Sequence, residues 1–261
     1  MSDIGNKRKA RDKAFYIKSA KQARRSAGEL LPGIKGFLCT SNREKDSVRE
    51  AYNLLNEHAD ILYGSEIKEE GIEEKKGLEI EDELSQEMEN LKKKAEKSVS
   101  ERRFQSVATG VKGCLFIRST VKSPTEVVDA IIDEIEKKKL PSTKFLLRML
   151  PIQATCKSSL EEILKSSDKL IEQMGKSKTF SLIVKVRNHN LKRDEIIGPV
   201  ADMVKKAFPD IKVDLDNPET SLIVEVLRGT TCLAVVSNYS QRAKYNLVEI
   251  AQKTNKPSTD L

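Results

Sequence analysis

The chain has 261 residues, of which 38% are hydrophobic and 33% charged, and its formal net charge is +7. This length suits one large or two small domains, and the hydrophobic fraction is sufficient for a core. The basic balance favours a polyanionic partner, either nucleic acid or an acidic membrane surface. No apolar run approaches the ~18 residues that span a bilayer, and no apolar segment follows the N-terminal charges as in a secretory signal. We therefore expect neither a membrane anchor nor secretion.

The first 25 residues contain nine basic and two acidic residues, with few large apolar side chains. Such a segment buries too little surface to fold alone, and we assign residues 1–32 to a basic disordered arm. Three interpretations stay open: an arm that tracks RNA phosphates, a two-part nuclear-import signal at residues 7–9 and 21–25, or a solvated tail. We predict a nuclear or nucleolar location, with the cytoplasm as the alternative.

Residues 33–151 carry alternating strand and helix patterns. Strands are predicted at residues 36–40, 104–107, 114–118 and 144–150, the last one stopped by Pro151. One helix, capped by Ser41 or Asn42, is predicted to run to about Leu62. A second helix is predicted to start at Ser123-Pro124-Thr125-Glu126, which has a capping-box residue at each end and proline at the first helical position. The resulting order, βαββαβ, is that of a ferredoxin-like domain.

An acidic insertion interrupts this first unit at about residues 64–100. Residues 66–89 contain eleven acidic residues and three lysines, and the sign of the charge then reverses from Lys92 onward. We interpret the insertion as a disordered linker that becomes a charged helix near residues 84–95. Two interpretations stay open. The insertion is a solvated loop, or its acidic residues mimic nucleic acid and cover a basic face of the protein.

Residues 152–250 predict a second α/β unit, followed by a tail at 251–261. A capping box at Ser158-x-x-Glu161 precedes an apolar helical stripe, residues 180–186 alternate as a strand, and residues 196–208 form another helical stripe. Asn217-Pro218 predicts a turn that leads into the strand 221–227, which is apolar on both faces and is therefore expected to be central. Arg228-Gly229 then predicts a hairpin into residues 232–236.

No catalytic constellation is evident in the sequence. It contains neither a phosphate-binding loop of the Walker type nor GxGxxG before a helix, and its two histidines are too few for a Ser/His/Asp arrangement to be expected. The four cysteines lie far apart without metal-ligand spacing, which favours buried, reduced thiols. We predict no enzymatic activity, no cofactor and no metal.

The positive signal is clustered basic charge in the second unit. Residues 176–193 contain six basic residues and no acid, and Arg187-Asn188 lies where a strand enters a loop. Guanidinium and amide donors at such an exit suit phosphates and unpaired bases, and a helix N-terminus near Lys157 would itself attract a phosphate. The candidate RNA-binding residues are Arg148, Lys157, Lys185, Arg187, Asn188, Lys192, Arg193, Lys244 and Tyr245, the last as a stacking ring.

Several short motifs, spread over residues 36–250, together resemble the family of THUMP domain-containing adaptor proteins for tRNA acetylation. The motifs are Tyr52-Asn53-Leu54-Leu55-Asn56-Glu57, Arg103-Phe104-Gln105-Ser106-Val107, Arg148-Met149-Leu150-Pro151-Ile152, Thr155-Cys156-Lys157, Arg187-Asn188, Val213-Asp214-Leu215, Asn217-Pro218 and Lys244-Tyr245-Asn246-Leu247.

This resemblance implies an N-terminal ferredoxin-like domain packed on a THUMP domain, and no catalysis in this chain. Family members bind tRNA by its acceptor end and overall shape, and they assist a separate RNA cytidine acetyltransferase. That enzyme forms N4-acetylcytidine in the D-arm of serine and leucine tRNAs. The leading hypothesis is therefore a tRNA-binding adaptor. The alternatives are a protein-interaction scaffold in nuclear RNA processing without specific tRNA recognition, and an enzyme with an unfamiliar site.

Overall fold

A computed structural model describes residues 28–65, 102–175 and 177–253. Most of the predicted basic arm, most of the acidic insertion and residues 254–261 of the predicted tail lie outside these ranges. Within them no helix is long and apolar enough to cross a membrane.

The first unit is a four-stranded sheet with the predicted βαββαβ order. Its elements are β1 (Gly36–Ser41), α1 (Glu44–Tyr63), β2 (Phe104–Ala108), β3 (Cys114–Ser119), α2 (Pro124–Lys138) and β4 (Leu146–Ile152). The strands lie in the order β2-β3-β1-β4, and every neighbouring pair is antiparallel. Ser123 caps α2 as predicted, because its hydroxyl accepts a hydrogen bond from the backbone N–H of Glu126.

The second unit is a five-stranded mixed sheet with two helices. Its elements are β5 (Ala154–Lys157), α3 (Leu160–Ile171), a 3₁₀ turn (Glu172–Met174), β6 (Thr179–Arg187), α4 (Arg193–Ala207), β7 (Lys212–Val213), β8 (Thr220–Leu227) and β9 (Thr230–Ser237). The strand order is β5-β9-β8-β6-β7. After β9 come a further 3₁₀ turn (Ala243–Tyr245) and α5 (Leu247–Lys253), which packs on α2 and β4. The C-terminal helix therefore returns to the first unit.

Strand β8 is central and buried along its whole length, as its two-sided apolar pattern predicts. Leu222, Val224 and Val226 pack in the core that includes α3 and α4. Ile223 and Leu227 point to the other face and belong to the core of the first unit. The predicted hairpin at Arg228-Gly229 is present, and Arg228 has φ 55°, which a tight two-residue connection requires.

Residues 28–34 link the two units by backbone hydrogen bonds. Leu30 N–H donates to the carbonyl of Ala108 in β2 over 3.0 Å, and Gly33 N–H donates to the carbonyl of Thr155 in β5 over 2.8 Å. The last five residues of the range 1–32, which we assigned to a disordered arm, are therefore part of the fold. Similarly, residues 251–253 of the predicted tail continue α5.

Several local predictions are wrong. Helix α1 has Arg43 at its N-cap position, without a side-chain hydrogen bond there, in place of Ser41 or Asn42. Pro151 does not stop β4, which continues to Ile152; this is possible because β4 is an edge strand, where a missing N–H is tolerated. The cap of α3 is Ser159, not Ser158.

Candidate nucleic-acid interface

At one end of the second sheet, the terminal residues of four neighbouring strands lie side by side in one row. Lys157 on β5 pairs with Thr230 on β9, Thr230 pairs with Leu227 on β8, and Leu227 pairs with Arg187 on β6. Because paired residues project from the same face of a sheet, Lys157 and Arg187 share the face that carries Leu227. Leu227 belongs to the core of the first unit, so both cations lie on the side of the second sheet that faces this unit.

A buried carboxylate holds two of the predicted cations. Glu225 on β8 is 3% exposed and lies in register with Lys185 on β6. Lys185 Nζ donates to Glu225 Oε1 over 3.1 Å, and Arg187 Nε lies 3.5 Å from Glu225 Oε2. Each carboxylate oxygen therefore faces one cation. About a third of each basic side chain stays exposed, 33% for Lys185 and 34% for Arg187, which leaves donors available to a ligand.

The loop after β6 carries three more of the predicted residues. Asn188 is exposed and has φ 56°, a left-handed conformation that asparagine tolerates better than most residues. Lys192 and Arg193 are exposed at the start of α4. The helix terminus itself is already served by acidic side chains, since Glu195 Oε2 accepts the Lys192 N–H over 3.1 Å. Lys192 and Arg193 can therefore offer side-chain charge rather than a free helix terminus.

The sequence suggested that a helix begins near Lys157. In the structure Lys157 is instead the last residue of β5. Helix α3 begins at Leu160, and its first turn contains Glu161 and Glu162. Two carboxylates in this first turn repel an anion, so the phosphate attraction predicted for a helix terminus near Lys157 is weakened and stays a prediction. The Lys157 side chain is nevertheless exposed at the row described above.

A groove of about 1050 Å³ lies between the Lys157 end of this row and the first unit. The second unit lines it with Lys157 and with residues 227–230, and the first unit with β2, β3 and the turn between them. Its charged lining residues are Glu29, Glu44, Lys45, Lys112, Lys157 and Arg228. Four cations against two carboxylates make the groove basic, which suits a polyanion.

Arg228 closes one side of the groove against a glycine of the first unit. A Cβ atom added to Gly110 would lie 2.5 Å from an Nη atom of Arg228, so any other residue here would force this guanidinium to move. Gly110 also has φ +70°, a left-handed conformation that glycine adopts without strain. In the sequence, Arg228 is recognisable only as a turn residue, and no pattern marks Lys45 or Lys112. The two-residue hairpin was the available signal for Arg228, because it places that side chain at the same end as Arg187.

Arg148 lies on β4 of the first unit, in register with Thr40, which in turn pairs with Cys114. Its Nε atom and that of Arg187 are both buried without a hydrogen-bond partner in the described part of the chain. Burial raises the pKa of the Cys114 thiol, and the positive charge of Arg187 opposes that rise. Each unit thus contributes one arginine whose Nε atom is buried without a hydrogen bond to the described residues.

Lys244 and Tyr245 lie between the end of β9 and strand β4, because the Tyr245 hydroxyl contacts Ser237 and the next residue, Asn246, pairs with Arg148 on β4. Lys244 is exposed. Tyr245 is fully buried: its hydroxyl donates to the carbonyl of Ser237 over 3.1 Å, and its ring stacks on Tyr239 with centroids 6.0 Å apart. The prediction that Tyr245 stacks on a base is therefore wrong.

The four cysteines are free and buried, as predicted. Burial raises the pKa of the Cys39 thiol to about 12 and that of Cys232 well above 9.0, so both are protonated at neutral pH. Among residues 28–65, 102–175 and 177–253, no group of three or more His, Cys, Asp or Glu side chains could hold a metal ion.

Comparison with known proteins identifies the second unit. Residues 157–236 match the THUMP domain. The chain is 38% identical to THUMP domain-containing protein 1 of Bos taurus over 262 residues, which are 95% of this chain and 72% of the relative. It is 27% identical over 285 residues to the Saccharomyces cerevisiae protein named tRNA acetyltransferase TAN1, with 98% of each chain covered. The solution structure of the THUMP domain of THUMP domain-containing protein 1 is 33% identical, covers 30% of this chain and 84% of that chain, and gives a TM-score of 0.28.

The second sheet, with α3 and α4 on one face and the cations Lys157 and Arg187 at one end of its strands, is thus a THUMP domain. With this identity over nearly its whole length, the chain belongs to the family of THUMP domain-containing protein 1.

Proposed function

We propose that this chain is a non-catalytic adaptor that binds tRNA and presents it to an RNA cytidine acetyltransferase. The observation that carries the proposal is a pair of cations, Lys157 and Arg187, at the two ends of one row of paired strand residues, beside a basic groove between the two units. Phosphate contacts supply most of the affinity of an RNA-binding surface, and guanidinium groups supply the strongest of them.

The groove explains why a folded RNA suits this surface. It is lined by residues from both units, so a ligand that contacts Lys112 and Lys157 together spans the junction. The donor Arg148 Nε, buried and without a hydrogen-bond acceptor in the described part of the chain, gains a partner if a phosphate oxygen enters there, whereas Arg187 offers its outer guanidinium donors. Asn188 and the exposed cations Lys192 and Arg193 extend the surface along the exit of β6, and the exposed Lys244 extends it beside Arg148, which pairs with Asn246.

The role in acetylation is inferred from the relatives. One of them is named tRNA acetyltransferase, and the resemblance of the sequence motifs implies formation of N4-acetylcytidine in the D-arm of serine and leucine tRNAs. In the proposed division of labour, this chain binds and orients the tRNA, and the partner enzyme transfers the acetyl group. We place this activity in the nucleus, including the nucleolus, on the basis of the basic segments at residues 7–9 and 21–25.

The first test compares binding of the purified full chain to a serine tRNA and to a hairpin RNA of equal charge, at two salt concentrations. The proposal expects tighter binding of the tRNA at both concentrations, because shape recognition survives partial screening of the phosphates. If the two RNAs bind equally and both lose affinity at high salt, the interaction is only non-specific electrostatic attraction. The scaffold alternative would then be favoured.

A second test separates an adaptor from an enzyme. The chain, the acetyltransferase and both together are incubated with tRNA and an acetyl donor, and N4-acetylcytidine is quantified by mass spectrometry. We expect product from the enzyme, more product when the chain is added, and none from the chain alone. Acetylation by the chain alone would overturn the non-catalytic assignment.

A further inference from the structure

We infer that Glu225, although negatively charged, promotes RNA binding by holding Lys185 and Arg187 in their binding positions. This inference rests on the proposed function, since it assigns a positioning role to a residue behind the proposed RNA surface. Glu225 itself is 3% exposed and does not reach that surface.

The Glu225 carboxylate contacts both cations, one with each oxygen. Oε1 of Glu225 accepts from Lys185 Nζ over 3.1 Å, and Oε2 lies 3.5 Å from Arg187 Nε. Lys185 and Arg187 are two residues apart on β6, so their side chains leave the same face of the strand. Without an anion between them, two like charges on neighbouring same-face positions repel and turn away from each other.

The carboxylate contacts the inner part of the Arg187 side chain and leaves its outer part available. The contact is made at Nε, which is buried, whereas 34% of the side chain is exposed. A guanidinium has five donors in a fixed planar fork, so fixing Nε also fixes the direction of the Nη donors. A ligand then meets an arginine whose orientation has been set before binding, which reduces the entropy lost on binding.

The positioning role and the net charge predict opposite changes in tRNA affinity when Glu225 is replaced. Glu225→Gln removes one negative charge next to an RNA surface, so electrostatics alone predicts tighter binding. The positioning role predicts weaker binding, on the order of tenfold for the loss of one well-oriented charged contact. The sign of the change in tRNA affinity therefore distinguishes the two.

The experiment measures tRNA affinity of the full chain at one fixed salt concentration for wild type, Glu225→Gln, Arg187→Ala and the double variant. If Glu225 acts through Arg187, Glu225→Gln weakens binding in the wild-type background and changes it much less once Arg187 is absent. Tighter binding by Glu225→Gln, or an equal loss in both backgrounds, would overturn the inference.

Arg187→Lys keeps the experiment informative if Glu225→Gln does not fold. This change preserves charge at a side chain that is only partly buried, but it removes Nε and the planar fork. The positioning role expects a loss of affinity on the order of tenfold, and unchanged affinity would contradict it. Failure of the proposed function is separately visible, because the wild-type chain would then show no preference for tRNA over the hairpin.

Discussion

Thr155 of the second unit and Ile34 of the segment before β1 bind each other through both backbone groups of Ile34. Thr155 Oγ1 accepts the Ile34 N–H over 2.9 Å and lies 2.8 Å from the Ile34 carbonyl oxygen, to which it can donate its proton. Leu31 O lies 3.1 Å from the same hydroxyl. One side chain on β5 therefore satisfies the backbone of the segment that joins the two units.

Replacing Thr155 by valine keeps the shape of the side chain and removes this hydroxyl. The Ile34 N–H and the carbonyls are then left without their partner in a place where Thr155 is only 6% exposed. We expect the free energy of unfolding to fall by about 1–3 kcal/mol. Urea denaturation of the full chain measures it, with the exposed Thr120→Val as the matched control. Equal stability of the two variants would show that the hydroxyl contributes nothing at this junction.

Arg242 connects the segment after β9 to α2 of the first unit. Its guanidinium contacts Asp129 directly, its second Nη atom lies 3.6 Å from Asp133, and its side chain is 19% exposed. For Arg242→Ala and Asp129→Ala, we expect a coupling free energy of about 0.5–3 kcal/mol in a double-mutant cycle of unfolding. Additive effects would mean that the pair does not stabilise the folded chain.

The same contact limits the role of Arg242 in RNA binding. A guanidinium already shared by two carboxylates has lost much of its attraction for a phosphate, so Arg242→Ala should leave the salt dependence of tRNA binding unchanged. A slope that flattens by about one would place Arg242 on the RNA surface after all.

Tyr245 gives the folded chain a sensitivity to high pH. Burial, the largest cause, raises its pKa to about 12 from an ordinary value near 10. The neutral phenol is therefore favoured in the folded state, and the stability that it contributes is fully present below pH ~10 and is lost as the pH rises towards 12. Buried thiols act in the same direction, since the pKa of Cys39 is also raised to about 12.

Tyr245→Phe isolates this contribution. At pH 7 the variant should be less stable by about 1 kcal/mol, because the hydrogen bond to Ser237 O is lost. The difference from wild type should narrow as the pH rises from about 10 to about 12, since only the wild type has the phenol of Tyr245 to ionise. A constant difference in urea denaturation over this range would contradict the assignment. Affinity for tRNA should not change, because the ring is fully buried.

The sequence predicts those elements whose signals are local. Strand β8 is recognisable from its apolar run on both faces, its turn into β9 from Arg228-Gly229, and the start of α2 from Ser123-Pro124, and all three are present. Each depends on residues close together in the chain, so no distant contact is needed to decide between conformations.

The elements that the sequence misses depend on distant contacts. Strand β5 has only four residues, and it is a strand because it pairs with β9, more than 70 residues further on. Tyr245 is buried because Ala243, Lys244 and Tyr245 all have positive φ and turn the ring towards Tyr239. Arg228 and Lys112 line one groove only after the two units pack together. A local sequence pattern cannot predict which distant residues the fold brings together.

Removal of Arg187 and Arg193 tests the RNA surface most directly. Arg187 ends β6 and Arg193 begins α4, so both lie at the end of the THUMP domain that also carries Lys157. For Arg187→Ala with Arg193→Ala, we expect weaker tRNA binding and a dependence of log affinity on log salt that is flatter by about one for each lost phosphate contact.

The matched control is Lys205→Ala with Lys206→Ala. These exposed lysines lie in the last turn of the same helix, α4, about 20 Å from its first residue at 1.5 Å per residue. Both double variants lose two positive charges, so an effect of net charge alone would weaken binding equally in the two. The proposed surface predicts that only the arginine variant flattens the salt slope. Equal salt slopes in both double variants would exclude Arg187 and Arg193 from the interface. The RNA would then have to bind elsewhere on the chain.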